Sequence, residues 1–318
     1  MGETAVAYQL IVNPKSGSCP AVSTVIRLRD TLRQRGHEAH AELTRSLPHA
    51  AELAQDAARH GRHVIVAGGD GTVRCVLGAL AGSSLPILIL PAGCENLLAQ
   101  QLGLDGSLPT MLACLDRPHP RTMDLGIVNG QHFMAVVGVG FDAQVVRRIH
   151  RSRTGHISHF DYIWPICRTF WEYGFPHLTV HADGKLVCDE PALVFIGNIS
   201  RYAVGLPVLP QADPSDGKLS ITVYRYRRRR ELLAHALRTI CRRADRSPRV
   251  SRHVCTHITI ASPDPDVPVQ TDGDPGPGLP LTIDILPAAV RVLTPPPPPG
   301  QAFHPPLRRY HLRQLLCR

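Results

Sequence analysis

Short apolar runs alternate with amphipathic segments between the N-terminus and about residue 124. The apolar runs end near Gly, Pro or Asn, which is typical of buried strands, and the segments between them space their apolar residues as helices do. This alternation predicts a Rossmann-like parallel α/β domain over residues 1–124. The predicted order is strand AYQLIVNP, helix STVIRLRDTLRQRG, strand EAHAELT, helix SLPHAAELAQDAARHG, strand RHVIVAGG, helix TVRCVLGAL, strand LPILILPAG and helix ENLLAQQLG.

The pattern changes after residue 124, where strand-like runs follow one another with tight turns at Asn129-Gly130 and Asp183-Gly184. This pattern predicts a mostly antiparallel β-sandwich domain over residues 125–294, with helical insertions. Ser152 to Phe175 carries both tryptophans and is predicted as helix and loop. Residues 295–318 form a Pro-rich basic tail. The predicted strands lie in MDLGIVNGQHFMAVVGVGF, HLTVHADGKLVCDEPALVFIGN, GKLSITVYRY, HVCTHITIA, LPLTIDIL and AVRVLT.

One basic amphipathic segment, Arg227 to Ala244, has an apolar stripe with arginines crowded at both ends. Such a segment can lie at the interface of an anionic membrane. It can equally be an ordinary helix that buries its stripe against a sheet. Both interpretations are open at this point.

The chain is basic, with a formal net charge of +9 and a pI near 9.3. This balance favours acidic partners: a nucleotide, an anionic membrane or nucleic acid. We expect no nucleic-acid partner, because the basic residues are not interleaved with stacking aromatics. No apolar run approaches the ~18 residues that would span a bilayer, so any membrane contact is expected to be peripheral.

Nine cysteines are scattered without CxxC pairs, and the N-terminal sequence MGETAVAYQLIVNP does not resemble an export signal. Both features predict reduced thiols and a cytoplasmic location. The 17 histidines show no metal-ligand spacing, so we predict no zinc site.

A glycine-rich turn, Gly68-Gly69-Asp70-Gly71-Thr72, follows an apolar strand and precedes a helix. Glycines let a phosphate approach backbone amides, and the following helix directs its N-terminal N–H groups to the same place. A plain tight turn with a helix cap at Thr72 is the alternative. The carboxylate of Asp70 would repel a phosphate unless a cation lies between them, which favours Mg²⁺–nucleotide chemistry.

Two further loops follow apolar strands, one at Asn13-Pro14-Lys15-Ser16-Gly17 and one at Pro91 to Asn96. Parallel strands end at one edge of their sheet, so we expect these loops to share a crevice with the glycine-rich turn. Lys15 could then reach a phosphate, or it could be a solvated surface residue. Asn96 could bind a ribose or phosphate, although capping the next helix is its more common role.

Two acidic turns in the second domain are candidate chemical groups. Asp213 and Asp216 are spaced to share one hard cation with a backbone oxygen, or to form solvated Asx-turns. The Asp272-Gly273-Asp274 turn can place two carboxylates at one cleft, although Asp-Gly turns also connect strands in many proteins without catalytic function.

The succession NPKSGS, GGDGT, PAGCEN, MDLGIVNGQHFMAVVGVGFDAQV, DPSDGKLSITV and VQTDGDP resembles the diacylglycerol kinase superfamily. This superfamily includes sphingosine and ceramide kinases and bacterial lipid kinases. The resemblance covers Tyr8 to Thr294. It implies an ATP-dependent lipid kinase that uses Mg²⁺, binds ATP between its domains, and phosphorylates a lipid hydroxyl. It also implies a role in lipid metabolism at the inner face of a membrane, with homodimerisation left open.

The resemblance also implies roles for individual residues. Asp124 would tie the nucleotide-bound Mg²⁺ to the active site, and the carboxylates of Asp272 and Asp274 would supply the general base. Asp213 and Asp216, with the backbone carbonyl of Lys218, would hold a structural Mg²⁺. The implied nucleotide-binding residues are Asn13, Lys15, Ser16, Gly17, Thr44, Gly68, Gly69, Asp70, Gly71, Thr72, Gly93, Cys94 and Asn96.

The chain departs from the family pattern at two positions. Cys94 replaces the usual Thr, and Asp274 replaces the usual Glu, which leaves open whether Asp272 or Asp274 reaches the substrate hydroxyl. An NAD kinase-like enzyme also uses a Gly-Gly-Asp-Gly-Thr turn and is one alternative, which the NPKSGS loop and the DGD turn disfavour. A catalytically impaired lipid-binding or regulatory protein is the other.

Overall fold

The computed structural model describes residues 5–16, 19–152, 163–200, 202, 208–240 and 247–296. Two compact units divide the chain. Unit 1 extends to Leu125 and takes up the chain again from Leu286, whereas unit 2 extends from Gly126 to Ile285. Gly17 and nearly all of the predicted tail lie outside the described residues.

Unit 1 contains the predicted parallel sheet. Its strands run in the order β2-β1-β3-β4, and the last part of β16 pairs with β4 in parallel. Leu10, Ile65 and Leu88 at the strand centres are at most 1% exposed because helices cover them. The strands are β1 (Ala7–Val12), β2 (Glu38–Leu43), β3 (His63–Gly68), β4 (Pro86–Pro91) and β16 (Leu281–Thr294).

Two helices of unit 1 begin at serines whose side chains accept one of the first N–H groups. Ser46 accepts a hydrogen bond from the His49 N–H, and Ser107 does the same for Thr110, each followed by a proline in the first turn. The helix after the glycine-rich turn begins at Asp70, two residues before the predicted start. These helices are α1 (Cys19–Gln34), α2 (Leu47–Arg59), α3 (Asp70–Ala79), α4 (Leu97–Gln101) and α5 (Leu108–Asp116).

Unit 2 is the predicted antiparallel sandwich. One sheet has the order β12-β11-β10-β7-β14-β15, and the other pairs the first part of β16 with β13, β8 and β9 in turn. Val194, Ile221 and Ile258 are among its fully buried core residues. The strands are the end of β5 (His119–Val128), which begins in unit 1, and β6 (Gln131–Phe133), β7 (Val136–Val139), β8 (His177–Ala182), β9 (Lys185–Pro191), β10 (Leu193–Gly197), β11 (Leu219–Tyr224), β12 (Val250–Cys255), β13 (His257–Ala261), β14 (Val269–Thr271) and β15 (Asp274–Pro275).

Among the described residues, three helices accompany this sandwich: α6 (Phe141–Ser152), α7 (Ile163–Glu172) and α8 (Arg229–Ile240). The predicted basic segment corresponds to α8, and residues 241–244 lie outside the described part. Leu232 packs, partly buried, on a cluster formed by Leu193, Tyr224 and Tyr226. This contact agrees with the ordinary-helix interpretation for that residue, whereas Leu233 is 50% exposed.

The chain returns to unit 1 through its last described strand. We expected one continuous second domain to residue 294, but residues from Leu286 onward group with unit 1. The reason is the pairing of Arg291 with Pro86 and of Val292 with Ile87. No helix in the described ranges is long and apolar enough to cross a membrane.

Candidate active site

The three loops that follow β1, β3 and β4 lie together in unit 1, as the sheet topology predicts. The Nδ2 atom of Asn13, directly after β1, donates a hydrogen bond of 2.7 Å to the Thr72 Oγ1 in α3. The Asn13 Oδ1 accepts the N–H of Lys15 at 3.0 Å and so shapes its own loop. The first loop is thereby fastened to the glycine-rich turn.

The glycine-rich turn packs directly on the third loop. A Cβ atom on Gly93 would lie 2.6 Å from the Cα of Gly69, and one on Gly68 would lie 2.6 Å from the Thr72 Cβ. Side chains at these positions would force the loops apart. Gly69 is the N-cap residue of α3 and has no side chain to accept a hydrogen bond there. This is the local arrangement that suits an anion at a helix N-terminus.

Asp70 links the glycine-rich turn to α4, the helix that follows the third loop. Its Oδ1 accepts the N–H of Leu97, the first residue of α4, at 2.8 Å. The carboxylate therefore fixes the relative position of two loops besides contributing its negative charge. The sequence predicted the charge at this position, and the structure adds a positioning role.

Asn96 does not cap α4 with its side chain, so its binding of a ribose or phosphate stays a prediction. Asn96 occupies the N-cap position with a left-handed backbone (φ 49°) and makes no side-chain cap. Its Oδ1 instead accepts the Gly93 N–H at 2.8 Å, and its Nδ2 donates to the Gly93 carbonyl at 2.7 Å. Asn96 thus closes the third loop on itself instead of accepting an N–H group from the first turn of α4.

The remaining predicted nucleotide residues differ in exposure. Lys15 and Cys94 are exposed, and Ser16 is half-buried beside Gly69. Thr44 is buried and donates its N–H to the Val12 carbonyl at 2.8 Å, which places it at the end of β2. Gly71 lies half-buried in the first turn of α3.

Asp124 is buried in unit 1 near the end of its chain segment. Only 3% of the residue is exposed, and its Oδ1 accepts the N–H of Ala288 at 2.7 Å. Ala288 has a positive φ of 52°, so this bond stabilises an unfavourable backbone conformation. At least one oxygen of Asp124 is therefore engaged in holding the returning strand β16.

The two carboxylates of the Asp272-Gly273-Asp274 turn have different environments. Asp272 is 6% exposed, and both of its oxygens accept backbone N–H groups of one segment. Met134 donates to Oδ2, whereas Ala135 and Val136 donate to Oδ1, each at 2.9 Å. Bonds of this kind stabilise a carboxylate anion and occupy its lone pairs. Asp272 thus has the contacts of a residue that holds a turn in place.

Asp274 lies half-buried on β15, opposite Thr271 of β14. The hairpin turns at Asp272 and Gly273, whose φ angles are 50° and 83°, a conformation that suits Gly and Asp. The Gln270 Oε1 accepts the Gly273 N–H at 2.9 Å and braces the turn. The turn therefore presents Asp274 from a fixed backbone.

A buried polar pair that sequence reasoning did not single out lies behind this turn. A Cβ atom on Gly138 would be 2.7 Å from both the Asp142 Oδ2 and the Gln270 Nε2. Those two buried atoms have no hydrogen bond of ordinary geometry within the part of the chain that is described. Burial raises the pKa of Asp142 to about 7. The polar side chains of Tyr202 and Gln270 lower this pKa, but by less than burial raises it. The signal in the sequence was a carboxylate directly after the apolar run VVGVGF.

The raised pKa gives Asp142 a definite effect on stability. The unfolded carboxyl ionises near its ordinary pKa of 3.8, whereas the folded one keeps its proton up to about 7. Stability from this group is therefore fully present below pH 3.8 and is lost as pH rises through 7. We expect Asp142→Asn to gain stability relative to the native chain between pH 4 and 7, by at most about 4 kcal/mol.

Thermal unfolding at a series of pH values checks this prediction. Asp183→Asn is the matched control, because N–H bonds from Thr256 lower the pKa of Asp183 and the sign reverses. Its stabilising contribution is present above the unfolded pKa and is lost as pH falls. A pH-independent difference between Asp142→Asn and the native chain would contradict the assignment.

The predicted metal turn contains two Asx-turns. The Asp213 Oδ1 accepts the Ser215 N–H at 3.0 Å, and the Asp216 Oδ1 accepts the Lys218 N–H at 2.9 Å. Among the described residues, no group of three or more His, Cys, Asp or Glu side chains is arranged to hold a metal ion. Two carboxylates and a backbone carbonyl nevertheless form an all-oxygen donor set, which suits Mg²⁺ chemically.

Two family models match consecutive parts of the chain. Residues 7–128 match the diacylglycerol kinase catalytic domain, and residues 135–294 match the YegS C-terminal NAD kinase beta sandwich-like domain. The first contains all three loops, and the second contains both acidic turns.

Individual relatives extend over almost the whole chain. A diacylglycerol kinase from Mycobacterium tuberculosis is 31% identical over 296 residues, which cover 90% of this chain and 94% of that protein. A protein named Probable lipid kinase YegS-like, from Klebsiella pneumoniae, is 25% identical over 299 residues, covering 92% of this chain and 97% of that one.

Solved structures support the fold. A crystal structure from Bacillus anthracis matches with a TM-score of 0.74 and 23% identity, covering 92% of this chain and 99% of that chain. A second, of a diacylglycerol kinase from the same organism, matches with a TM-score of 0.68 and 21% identity, covering 92% and 98%. From the family models and the Mycobacterium tuberculosis relative together, the chain belongs to the diacylglycerol kinase family of lipid kinases and is a phosphotransferase.

Proposed function

We propose that this chain transfers the γ-phosphoryl group of ATP to a lipid hydroxyl, on diacylglycerol, a sphingoid base or a related lipid, at the surface of a membrane. The observation that carries the proposal is the cradle of three loops in unit 1. Asn13 donates a hydrogen bond to Thr72, and the backbones of Gly69 and Gly93 lie in contact. Asp70 accepts a hydrogen bond from the Leu97 N–H. Such preorganised backbone suits phosphate groups, because phosphoryl transfer depends mainly on positioning and charge neutralisation.

The proposal gives each predicted nucleotide-binding residue a role. Backbone amides of Gly68 to Thr72, at the N-terminus of α3, would hold the phosphates, with Lys15 as a mobile positive charge. Thr44 and the loop that Asn96 closes would line the rest of the nucleotide pocket. The exposed Cys94 offers a thiol where the family has a hydroxyl, so it would contribute less to a phosphate or ribose.

Asp274 is the proposed general base. Its carboxylate would take the proton of the acceptor hydroxyl as that oxygen bonds to the γ-phosphorus. The bond from that phosphorus to the β–γ bridging oxygen breaks, and ADP leaves with the bonding electron pair. Asp272 is assigned a positioning role because both of its oxygens already accept backbone N–H groups.

Mg²⁺ is implied by the kinase family at two places. When bound with ATP it neutralises phosphate charge, and Asp70 and Asp124 are the acidic residues of unit 1 proposed to face it. Asp213, Asp216 and the Lys218 carbonyl would hold a second, structural ion. This set has the oxygen donors that Mg²⁺ prefers.

Removal of one structural ligand should abolish stabilisation by Mg²⁺. At an ion concentration of 100 times its Kd, a single site raises the free energy of unfolding by ~2.7 kcal/mol. Asp216→Asn can keep its bond to the Lys218 N–H, since the amide oxygen accepts, but loses the charge that the ion needs. We expect a Mg²⁺-dependent rise in Tm in the native chain and little in Asp216→Asn. An equal rise in both would remove Asp216 from the site.

The acceptor distinguishes this proposal from an NAD kinase-like activity, since the second matched domain is named for NAD kinase. Incubation with γ-labelled ATP, Mg²⁺, NAD and a mixed lipid extract offers both acceptors at once. The proposal expects label in the organic phase and none in NADP. Label in NADP would favour the rival enzyme, and label in neither acceptor would favour a catalytically impaired lipid-binding protein. A cytoplasmic, peripheral location at the inner membrane face is part of the same proposal.

A further inference from the structure

Both tryptophans of the chain lie exposed on one helix. The sequence has only two, Trp164 and Trp171, and they are 72% and 69% exposed on α7. Residues seven positions apart in a helix are offset by only about 20° around its axis, so both side chains lie on one side. Cys167 and Arg168, also exposed, lie between them. We call Trp164, Cys167, Arg168 and Trp171 the tryptophan face.

The opposite side of α7 fixes the helix to unit 2. Thr169 is fully buried, and Tyr173, directly after the helix, is 3% exposed. The Tyr173 ring packs edge-on against Phe141 of α6 at 5.4 Å and against Phe175 at 4.8 Å between ring centroids. The helix is therefore held by one side, and the tryptophan face is directed away from the core.

Charge around the tryptophan face favours an anionic surface. The acidic residue of α7, Glu172, is bonded to Arg148 and, at 2.9 Å, to Arg168. Hydrogen bonds from these arginines lower its pKa, so its charge is compensated rather than exposed to an approaching anion. Arg147 and Arg151 of the packed helix α6 add further positive charge.

We infer that the tryptophan face of α7 docks on an anionic lipid bilayer and orients the chain on it, an inference that rests on the proposed lipid kinase function. Tryptophan suits this place because its ring is apolar while its N–H remains near water at the headgroup level. A single ten-residue helix is also small beside the ~800 Å² per partner of a stable protein interface. The sequence left membrane contact open for the basic segment that contains α8, and Leu232 of that helix packs on unit 2.

Intrinsic tryptophan fluorescence tests this inference directly, because the only two tryptophans of the chain form the face. Addition of phosphatidylcholine vesicles containing phosphatidylglycerol should shift the emission to shorter wavelength. Lipids brominated on their acyl chains should quench it. Vesicles of phosphatidylcholine alone should give a much weaker effect. Vesicle sedimentation without a fluorescence change would show that another surface binds, and would overturn the inference, as would the absence of both.

Variants separate this face from other surfaces. We expect Trp164→Ala/Trp171→Ala to weaken vesicle binding by about tenfold or more, because the variant loses the apolar surface that the two rings would bury in the bilayer. Leu186→Ala, at a 57% exposed leucine of β9, is the matched control and should bind normally. If replacing Arg227 to Arg230 by glutamine weakens binding while the tryptophan variant binds normally, α8 is the docking element and the inference fails.

Activity assays distinguish failure of this inference from failure of the proposed function. The double tryptophan variant should phosphorylate a water-soluble short-chain diacylglycerol at the native rate, and a long-chain diacylglycerol embedded in anionic vesicles much more slowly. Equal loss on both substrates would mean that the tryptophans act on the fold or the site instead. A native chain inactive on every lipid would refute the kinase proposal, while fluorescence and sedimentation would still decide the docking surface.

Discussion

Asp274→Asn is expected to lower kcat by about 10²- to 10⁴-fold, the range for loss of a general base. Asparagine keeps the size of the side chain and removes its ability to take a proton. Asp274 lies half-buried on β15, and the turn beside it is braced by Gln270 and Asp272. We therefore expect the Tm and the affinity for ATP to change little. Steady-state kinetics with thermal unfolding checks both parts.

Asp272→Asn should lower the stability of the fold rather than kcat. Its amide nitrogen would replace one of two oxygens that accept the N–H groups of Met134, Ala135 and Val136. At least one buried N–H would then face a donor, which we expect to cost about 3 kcal/mol of stability. Any loss of activity should follow the loss of folded protein.

Two further variants make this comparison decisive. Asp274→Glu restores the family residue and should keep activity, because the carboxylate remains. Asp264→Asn changes an exposed carboxylate of unit 2 that accepts the Asp266 N–H, a bond that the amide oxygen can also accept, and should have no effect. Near-native turnover in Asp274→Asn, or a stable but inactive Asp272→Asn, would exchange the assigned roles.

Asp70→Asn is expected to reduce turnover on the order of 100-fold, as loss of a preorganised electrostatic contact does in other enzymes. The asparagine Oδ1 can still accept the Leu97 N–H, so the link between α3 and α4 should survive. The negative charge that would face Mg²⁺–ATP is lost. We expect a raised KM for Mg²⁺–ATP together with a lower kcat, at an unchanged Tm.

Control variants separate charge from structure at this position. Asp70→Ala also removes the bond to Leu97 and should lower the Tm as well. Asp105→Asn carries the same chemical change in unit 1, at a carboxylate that accepts the Ser107 N–H, and should be kinetically silent. Asp70→Asn with native kinetics would mean that this carboxylate only joins the loops.

The fold could be predicted from the sequence to the extent that local patterns determine it. Runs such as HVIVAG and hairpin turns such as Asn129-Gly130 depend on neighbouring residues, and the structure contains both. The return of β16 to unit 1 could not be predicted. It depends on the pairing of Arg291 and Val292 with residues about 200 positions earlier, which no local pattern encodes.

The candidate site was predictable as a set of motifs, but not as a set of contacts. Sequence order predicted the three loops at one sheet edge, and the Asn13–Thr72 hydrogen bond and the close approach of Gly93 to Gly69 confirm that they meet. A side-chain cap at Asn96 does not form, because its Oδ1 accepts the Gly93 N–H within its own loop, a contact that the motif alone does not specify. Likewise, the sequence offers no reason to give Asp272 and Asp274 different roles. The structure does, because Asp272 is buried and Asp274 is only half-buried.

Transfer of phosphate from ATP to a lipid hydroxyl can be followed directly on a defined diacylglycerol in mixed micelles, by ³¹P NMR while ADP is quantified in the same reaction. We expect one new lipid phosphomonoester for each ADP formed by the native chain, and almost none with Asp274→Asn. Formation of ADP with only free phosphate, or equal product from both proteins, would contradict the proposed function.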